Sequence, residues 1–288
     1  MVALAPAAPK RRAPPRDPVT VYAPADVDGG IVAGELVQMA CRRHLDDVEH
    51  GAKRGLTFDR AAAAWVIAFF RQLRHSKGEW AGKAFVLEPW QEFLVGSLFG
   101  WKRADGSRRF RTAYIEVARK NGKSTLAAGL GILLAFFDNE PGAEVYAVAT
   151  KREQAKIIWG EASRMVAATP GLRSRIEIRE GSLLIPGTAN VFKPLASEDH
   201  TEEGLNVHGA TVDELHAHRT AEMVNVIKTG TTARRQPLLL YITTAGVDRH
   251  TICWETRERA VKVLQRVFEA NELFAYVATI DEDDWRDE

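Results

Sequence analysis

At 288 residues the chain is long enough for one large α/β domain with smaller attachments. Its 39 Lys and Arg against 38 Asp and Glu give a formal charge of +1, so no global field marks a nucleic-acid binder and any such contact must come from a local patch. Cys41 and Cys253 lie far apart and suit a reducing compartment rather than a disulfide or metal site, and no apolar run approaches the roughly twenty residues of a membrane span.

Residues 1–24 are Pro- and Ala-rich, carry Lys10, Arg11, Arg12 and Arg16, lack a secretory core and read as a disordered basic tail. Helical periodicity follows over 34–51 and 59–75, the second stretch holding Trp65, Ile67, Phe69 and Leu73, with Asp59 placed to cap it. A further helix spans Glu88–Gly100, opened by Pro89, with Trp90 as a packing residue. Together these predict a helical lid over 25–105, which ends in the basic, turn-like segment Lys102–Arg111. Over 106–280, strands near 111–117, 143–149, 209–213, 237–243 and 273–280 alternate with helices near 123–137, 152–168, 220–230 and 252–270. That alternation predicts a parallel sheet with helices on both faces. Between 172 and 195, Ile176–Ile178 and Ser182–Ile185 read as a small β excursion, and the acids from Asp281 to Asp284 as the start of a solvated linker over 281–288.

Chemistry concentrates between Phe110 and Thr125. An alternating apolar strand gives way to a polar loop ending Gly122-Lys123-Ser124, and a helical pattern begins at once. Loop and helix N–H groups in that order point at phosphates, and the helix dipole favours their charge. Lys123 reaches β- and γ-phosphates, the Ser124 hydroxyl ligates Mg²⁺, and Gly122 lets the backbone approach without a Cβ. The loop departs from the usual GxxxxGK[ST] pattern, because Val117 stands where the first Gly belongs, and an ordinary polar strand-to-helix loop is the alternative. Downstream, Gly209–Glu214 is an apolar run closing on two acids, a costly strand end unless the charges are used or solvated. Asp213 then holds Mg²⁺ and Glu214 orients and deprotonates a water aimed at the γ-phosphate. A third apolar strand, from Gln236, stops at Thr243-Thr244-Ala245-Gly246, where a hydroxyl either senses the γ-phosphate or merely ends the strand with turn chemistry.

With Leu87–Phe93, Ala118–Thr125, Ala149–Ala155, Gly204–His216 and Thr243–Gly246 in this order, the chain resembles the ATPase part of the large terminase subunit of tailed bacteriophages, in its HK97-like branch, over roughly residues 60–285. The resemblance implies an ASCE/RecA-like P-loop fold with the sensor strand between the phosphate-loop strand and the Asp-Glu strand. It implies ATP and Mg²⁺ as cofactors and hydrolysis coupled to translocation of double-stranded DNA into procapsids. The family carries a deviant loop with an early Arg, which maps to Arg119 and a γ-phosphate role. Lys120, Asn121 and Thr125 join Gly122, Lys123 and Ser124 in holding ATP, and Gln91 stands where the family reads adenine. Gln91 also fits an ordinary helix start. Thr243 and Thr244 become coupling residues.

The implied partners are a homo-oligomeric ring, the portal protein, the small terminase subunit and DNA, with no membrane. The implied location is the host cytoplasm, transiently at the portal vertex, outside the mature virion. An RNase H-like nuclease follows the ATPase in the family, and this sequence stops where it would begin. Arg108, Arg109, Arg111, Lys151, Arg152 and Lys156 are candidate DNA contacts, each equally an ordinary exposed base. Arg234 and Arg235 are candidates for an arginine supplied to a neighbour. His216 and His218 lack partners at ligand spacing. The competing readings are a helicase-like P-loop NTPase and a non-catalytic packaging scaffold with a degenerate loop.

Overall fold

The computed structural model describes residues 17–196, 204–218, 221–246, 248 and 251–281. Helices α1 (Pro18–Val27) and α2 (Glu35–His50) come first. Strand β1 (Leu56–Phe58), helices α3 (Arg60–Gln72) and α4 (Pro89–Gly100), and strand β2 (Trp101–Arg103) follow. The α/β core then runs β3 (Thr112–Glu116), α5 (Lys123–Phe136), β4 (Glu144–Ala149), α6 (Arg152–Ala168), the single turn α7 (Pro170–Arg173), β5 (Glu177–Arg179), β6 (Ser182–Leu184) and β7 (Val191–Ala196). It closes with β8 (Val207–Asp213), α8 (Glu222–Gly230), β9 (Leu238–Thr243), α9 (Ile252–Leu264) and β10 (Leu273–Val277).

The main sheet has the order β10-β3-β9-β8-β4-β7-β6-β5. Neighbours from β10 to β7 are parallel, and β6 and β5 turn antiparallel at one edge. The strand ending in Thr243 therefore lies between the loop strand and the Asp-Glu strand, as the resemblance implies. Strands β3, β8 and β9 are apolar and almost wholly buried, as a doubly covered parallel sheet requires.

Helix α5 is buried along nearly its whole length and is rich in Ala and Gly for that reason. A Cβ on Gly131 would lie 2.5 Å from the Phe192 ring of β7, and one on Gly129 would strike Phe70 of α3. The helix is thus clamped between the sheet and the lid helices, and its first turn is fixed in space by packing.

Several expectations are corrected. Residues 17–24 belong to a helix and not to a tail: Asp17 accepts from Thr20 N at 2.8 Å, Pro18 opens the first turn, and Val19, Tyr22 and Ala23 are buried. Residues 1–16 lie outside the described residues. The lid helices share one continuous hydrophobic cluster with the sheet, so 25–105 is a helical layer of the same core. The return from the β excursion is itself a strand, β7, which contains Pro194. The β6 partner reaches only Val191 and Phe192, which leaves Pro194 at an edge-like position that tolerates a missing N–H. Asp281 is no free linker acid, because both its carboxylate oxygens accept from Glu35 N, at 3.0 and 2.9 Å. Glu282, Asp283 and Asp284 lie outside the described residues.

Arg108 and Arg109 are structural and not surface bases. Each is 1% exposed. Arg108 lies over the Phe99 ring and pairs with Asp138. Arg109 donates to Asp47 at 2.7 Å and to the Asn271 carbonyl at 3.1 Å, and stands over Trp101 and Phe110. Asp47 also binds Arg54, so it neutralises two guanidiniums. Removing it strands a buried charge, and Asp47→Ala is expected to cost about 3–5 kcal/mol in urea denaturation. An unchanged midpoint would refute the structural role assigned to Arg109.

Candidate functional site

The segment between β3 and α5 turns sharply. Val117 still behaves as strand: its N–H donates to the Thr243 carbonyl at 3.2 Å and its side chain is buried. This position continues an interior strand and supplies an apolar wall, which is a physical reason for Val where a Gly is usual. Lys120 and Gly122 have φ of 67° and 71°, and Asn121 Nδ2 donates to the carbonyls of Ala118 and Arg119 at 3.2 and 3.4 Å. Such left-handed turns curl the chain and gather its N–H groups on a concave side. Gly122 takes the strain freely, whereas Lys120 holds it at a cost of about 1–2 kcal/mol.

Lys123 begins α5 and folds back on the loop, donating from Nζ to Val117 O at 3.1 Å and Ala118 O at 3.0 Å. An ammonium has three donors, so one remains for another acceptor. Burial pulls its pKa below the usual lysine value, opposed by the charges of Glu214 and Asp213.

Asp213 ends β8, 9% exposed, and Oδ1 accepts from Glu214 N at 3.0 Å. Burial, with the adjacent Glu214 charge, pushes its carboxyl up to about 6, against Glu214 N–H and Lys123. Glu214 has φ 50°, a conformation a non-glycine residue adopts only where the surroundings hold it. Its N–H also reaches Ile242 O at 3.0 Å, and its carboxylate meets His216 Nδ1 at 3.1 Å.

A cleft of about 520 Å³ is lined by Arg119, Lys120, Gly122, Lys123, Ser124 and Thr125 on one side and Asp213, Glu214 and His216 on the other. Gln154 and Ile157 of α6 complete the wall. Ile157 is 51% exposed there, and no sequence pattern separated it from the other residues of an amphipathic helix. Thr243 is fully buried and touches His216 rather than the cleft, so a direct phosphate contact by its hydroxyl is excluded in this arrangement. Thr244 is half-buried beside it.

On the opposite side of the same loop lies a second, more apolar cleft of about 520 Å³. Trp90, Val117, Ala118, Asn121, Tyr276 and Ala278 are among its lining residues. Trp90 stacks on Tyr276 with centroids 5.9 Å apart, so it serves packing and also lines the cleft. Gln91 sits beneath the loop, and its Nε2 would be 3.5 Å from a Cβ on Gly122. Its Oε1 accepts from Glu88 N at 3.0 Å, so the helix-start reading of this residue holds, and its NH₂ group carries no such helix-start bond.

The basic candidates separate. Lys151, Arg152 and Lys156 are exposed on the first turns of α6, the helix that also carries Gln154. Arg111 donates to Arg235 O at 2.8 Å, and Arg235 to Asp105 O at 2.6 Å. Arg234 binds Glu140 at 3.0 Å and the carbonyls of Pro141, Gly142 and Asn206, so it is committed to its own chain and is unsuited to reach a neighbour.

Among the described residues no group of three or more His, Cys, Asp or Glu side chains is placed to hold a metal unaided. The buried Asp213 carboxyl and the Ser124 hydroxyl line the same cleft, a donor set that suits Mg²⁺, which takes most of its ligands from phosphates and water. The arrangement as a whole is a helix N-terminus and a cation facing two acids across one cleft, which fits phosphoryl transfer to water.

The family described as terminase large subunit, ATPase domain, matches residues 89–262. The large terminase subunit of Enterobacteria phage HK97 is 31% identical over 179 residues, covering 60% of this chain and 34% of that protein. Protein YmfN of Escherichia coli (strain K12) is 41% identical over 86 residues, covering 30% of this chain and 19% of its own length. The crystal structure of the HK97 bacteriophage large terminase superposes with a TM-score of 0.65 at 25% identity, over 77% of this chain and 44% of that one. The chain thus spans about a third or less of the length of these curated relatives.

The raised Asp213 pKa has a sign for stability. An acid that ionises near pH 6 when folded and near 3.8 when unfolded binds more protons in the folded state, so stability falls as pH rises between those values. The loss is complete above about pH 6. Asp213→Asn is expected to stabilise the nucleotide-free protein at pH 7 by roughly 1–3 kcal/mol, with no gain below pH 4. Thermal melts of both proteins across pH 4–8 check this, and parallel curves would contradict it.

Proposed function

The chain belongs to the ATPase-domain family of terminase large subunits, and from that premise we propose that it hydrolyses Mg-ATP to drive double-stranded DNA into viral procapsids. The observation that carries this reading is the meeting of Lys123, Ser124, Asp213 and Glu214 around one cleft at the carboxyl ends of the parallel strands β3 and β8, which flank β9. Loop N–H groups and the free Lys123 donor bind the β- and γ-phosphates. Arg119, exposed at the cleft mouth, offsets charge that develops on the γ-phosphate. Glu214 orients the attacking water and accepts its proton. Ser124 and Asp213 hold Mg²⁺, which when bound neutralises phosphate charge. The apolar cleft takes the adenine ring against Trp90 and Val117, and the Gln91 NH₂ donates toward the nucleotide from beneath the loop.

Translocation follows the family role: the ATPase works as a ring at the portal vertex, with the small terminase subunit and DNA as partners. It acts in the host cytoplasm and leaves before the virion matures. Arg111, Lys151, Arg152 and Lys156 remain the candidate DNA contacts.

Steady-state ATPase assays with and without linear double-stranded DNA test this reading. Glu214→Gln is expected to keep nucleotide binding while lowering kcat about 10²- to 10⁴-fold. Lys123→Ala is expected to weaken nucleotide affinity as well. Normal turnover by the glutamine variant would remove the base assignment. Separately, Trp90→Ala is expected to raise KM for ATP about tenfold at little change in kcat, as loss of binding common to ground and transition states. A KM that does not move would exclude the apolar cleft as the base pocket.

A further inference from the structure

His216 stands where the acid pair meets the strand β9. Its Nδ1 lies 3.1 Å from Glu214 Oε2 and 3.0 Å from Thr243 Oγ1, with Thr244 Oγ1 at 3.5 Å. Its backbone N–H lies 3.4 Å from Thr243 Oγ1, and the Thr243 hydroxyl donates its own hydrogen to Thr244 O at 2.9 Å. The Thr243 hydrogen is already committed to Thr244 O, so in the hydrogen bond between Nδ1 and Thr243 Oγ1 the ring nitrogen is the donor, and the Glu214 carboxylate lies beside that polar ring edge. Gly246 backs the ring: a Cβ there would stand 3.2 Å from His216 Cβ.

We propose that His216 is the positioning residue of Glu214 and the link from the cleft to the buried Thr243. The polar edge of the ring holds one carboxylate oxygen at 3.1 Å, which leaves the other to face the water. The tether also supports the left-handed Glu214 backbone, which has no glycine to relax it. Thr243 is fully buried, so cleft chemistry reaches its side chain through a neighbour, and His216 is the cleft-lining residue that touches it. A change at Glu214 therefore alters a hydrogen bond at the end of β9. The proposal rests on Glu214 acting as the base.

The test compares His216→Ala, His216→Asn, Thr243→Val, His216→Ala/Thr243→Val and Glu214→Gln. It measures kcat and KM for ATP, affinity for a fluorescent ATP analogue, and Tm. An asparagine NH₂ falls near the Nδ1–H position, whereas alanine removes the donor. His216→Ala is expected to lower kcat about 10- to 100-fold, the scale of a misplaced reacting group, with KM, analogue affinity and Tm unchanged. His216→Asn is expected to recover most of that loss. The double variant is expected to be no worse than His216→Ala alone, since both changes cut one connection. Two results overturn the proposal while leaving the base assignment intact, given an inactive Glu214→Gln. One is full kcat in His216→Ala. The other is an equal fall of kcat and Tm in the alanine and asparagine variants, which marks a purely structural histidine. An active Glu214→Gln enzyme removes the premise itself.

Discussion

The register of neighbouring parallel strands governs everything at the cleft. Glu116 of β3 is level with Thr243 of β9, and Ile242 of β9 is level with Asp213 of β8. Two backbone hydrogen bonds continue the ladder beyond the strand ends, from Val117 N to Thr243 O and from Glu214 N to Ile242 O. The phosphate-facing loop and the acid pair are therefore both suspended from the same central strand. A slip of one residue in either pairing would turn every side chain to the other face. Buried apolar strands on both sides make such a slip costly, so the position of the acids relative to the loop is set by the core.

That core is unusual in how tightly it confines α5. Its glycines admit Phe70 from one side and Phe192 from the other. Lys123 and Ser124 open this helix, so their placement inherits its rigidity. Tension is stored at the two turns that flank the cleft: Lys120 and Glu214 are non-glycine residues with positive φ. Strain of that kind is held in place only where packing overdetermines it. Buried Asp213 adds an electrostatic counterpart, a carboxyl that ionises reluctantly until a cation shares its space.

What was legible in sequence was whatever leaves a periodic or compositional trace. The β3–loop–α5 unit, the Asp213-Glu214 strand end and the Thr243 strand were read with nearly correct limits, since apolar runs bounded by polar turns are local signals. The sensor-strand position came from the family resemblance, because order in a parallel sheet is decided by long-range pairing. Helix α1 was hidden by a Pro- and Ala-rich composition, although Asp17-Pro18 is a sound helix start and its apolar residues are buried by α2, α4 and β10. Arg108 and Arg109 read as surface bases because nothing local reveals that Asp138 and Asp47, remote along the chain, will neutralise them. The sequence left a sensing hydroxyl open between Thr243 and Thr244, with turn chemistry as the alternative, and burial keeps the Thr243 hydroxyl from the cleft, while His216 was read as lacking partners at metal-ligand spacing. The spacing of His216 from Glu214 is unremarkable in sequence, and only the turn at Glu214 brings ring and carboxylate together.

The bonds from Asp281 to Glu35 fasten the stretch after β10 to the opening turn of α2. Gly34, Ala278 and Thr279 between these anchors all border the apolar cleft, and a side chain at Gly34 would collide with the Thr279 carbonyl. The chain therefore leaves the sheet through a clasp that forms part of a pocket wall. A tug applied at that exit must stretch the clasp before it reaches the sheet, so the cleft feels the load ahead of the core.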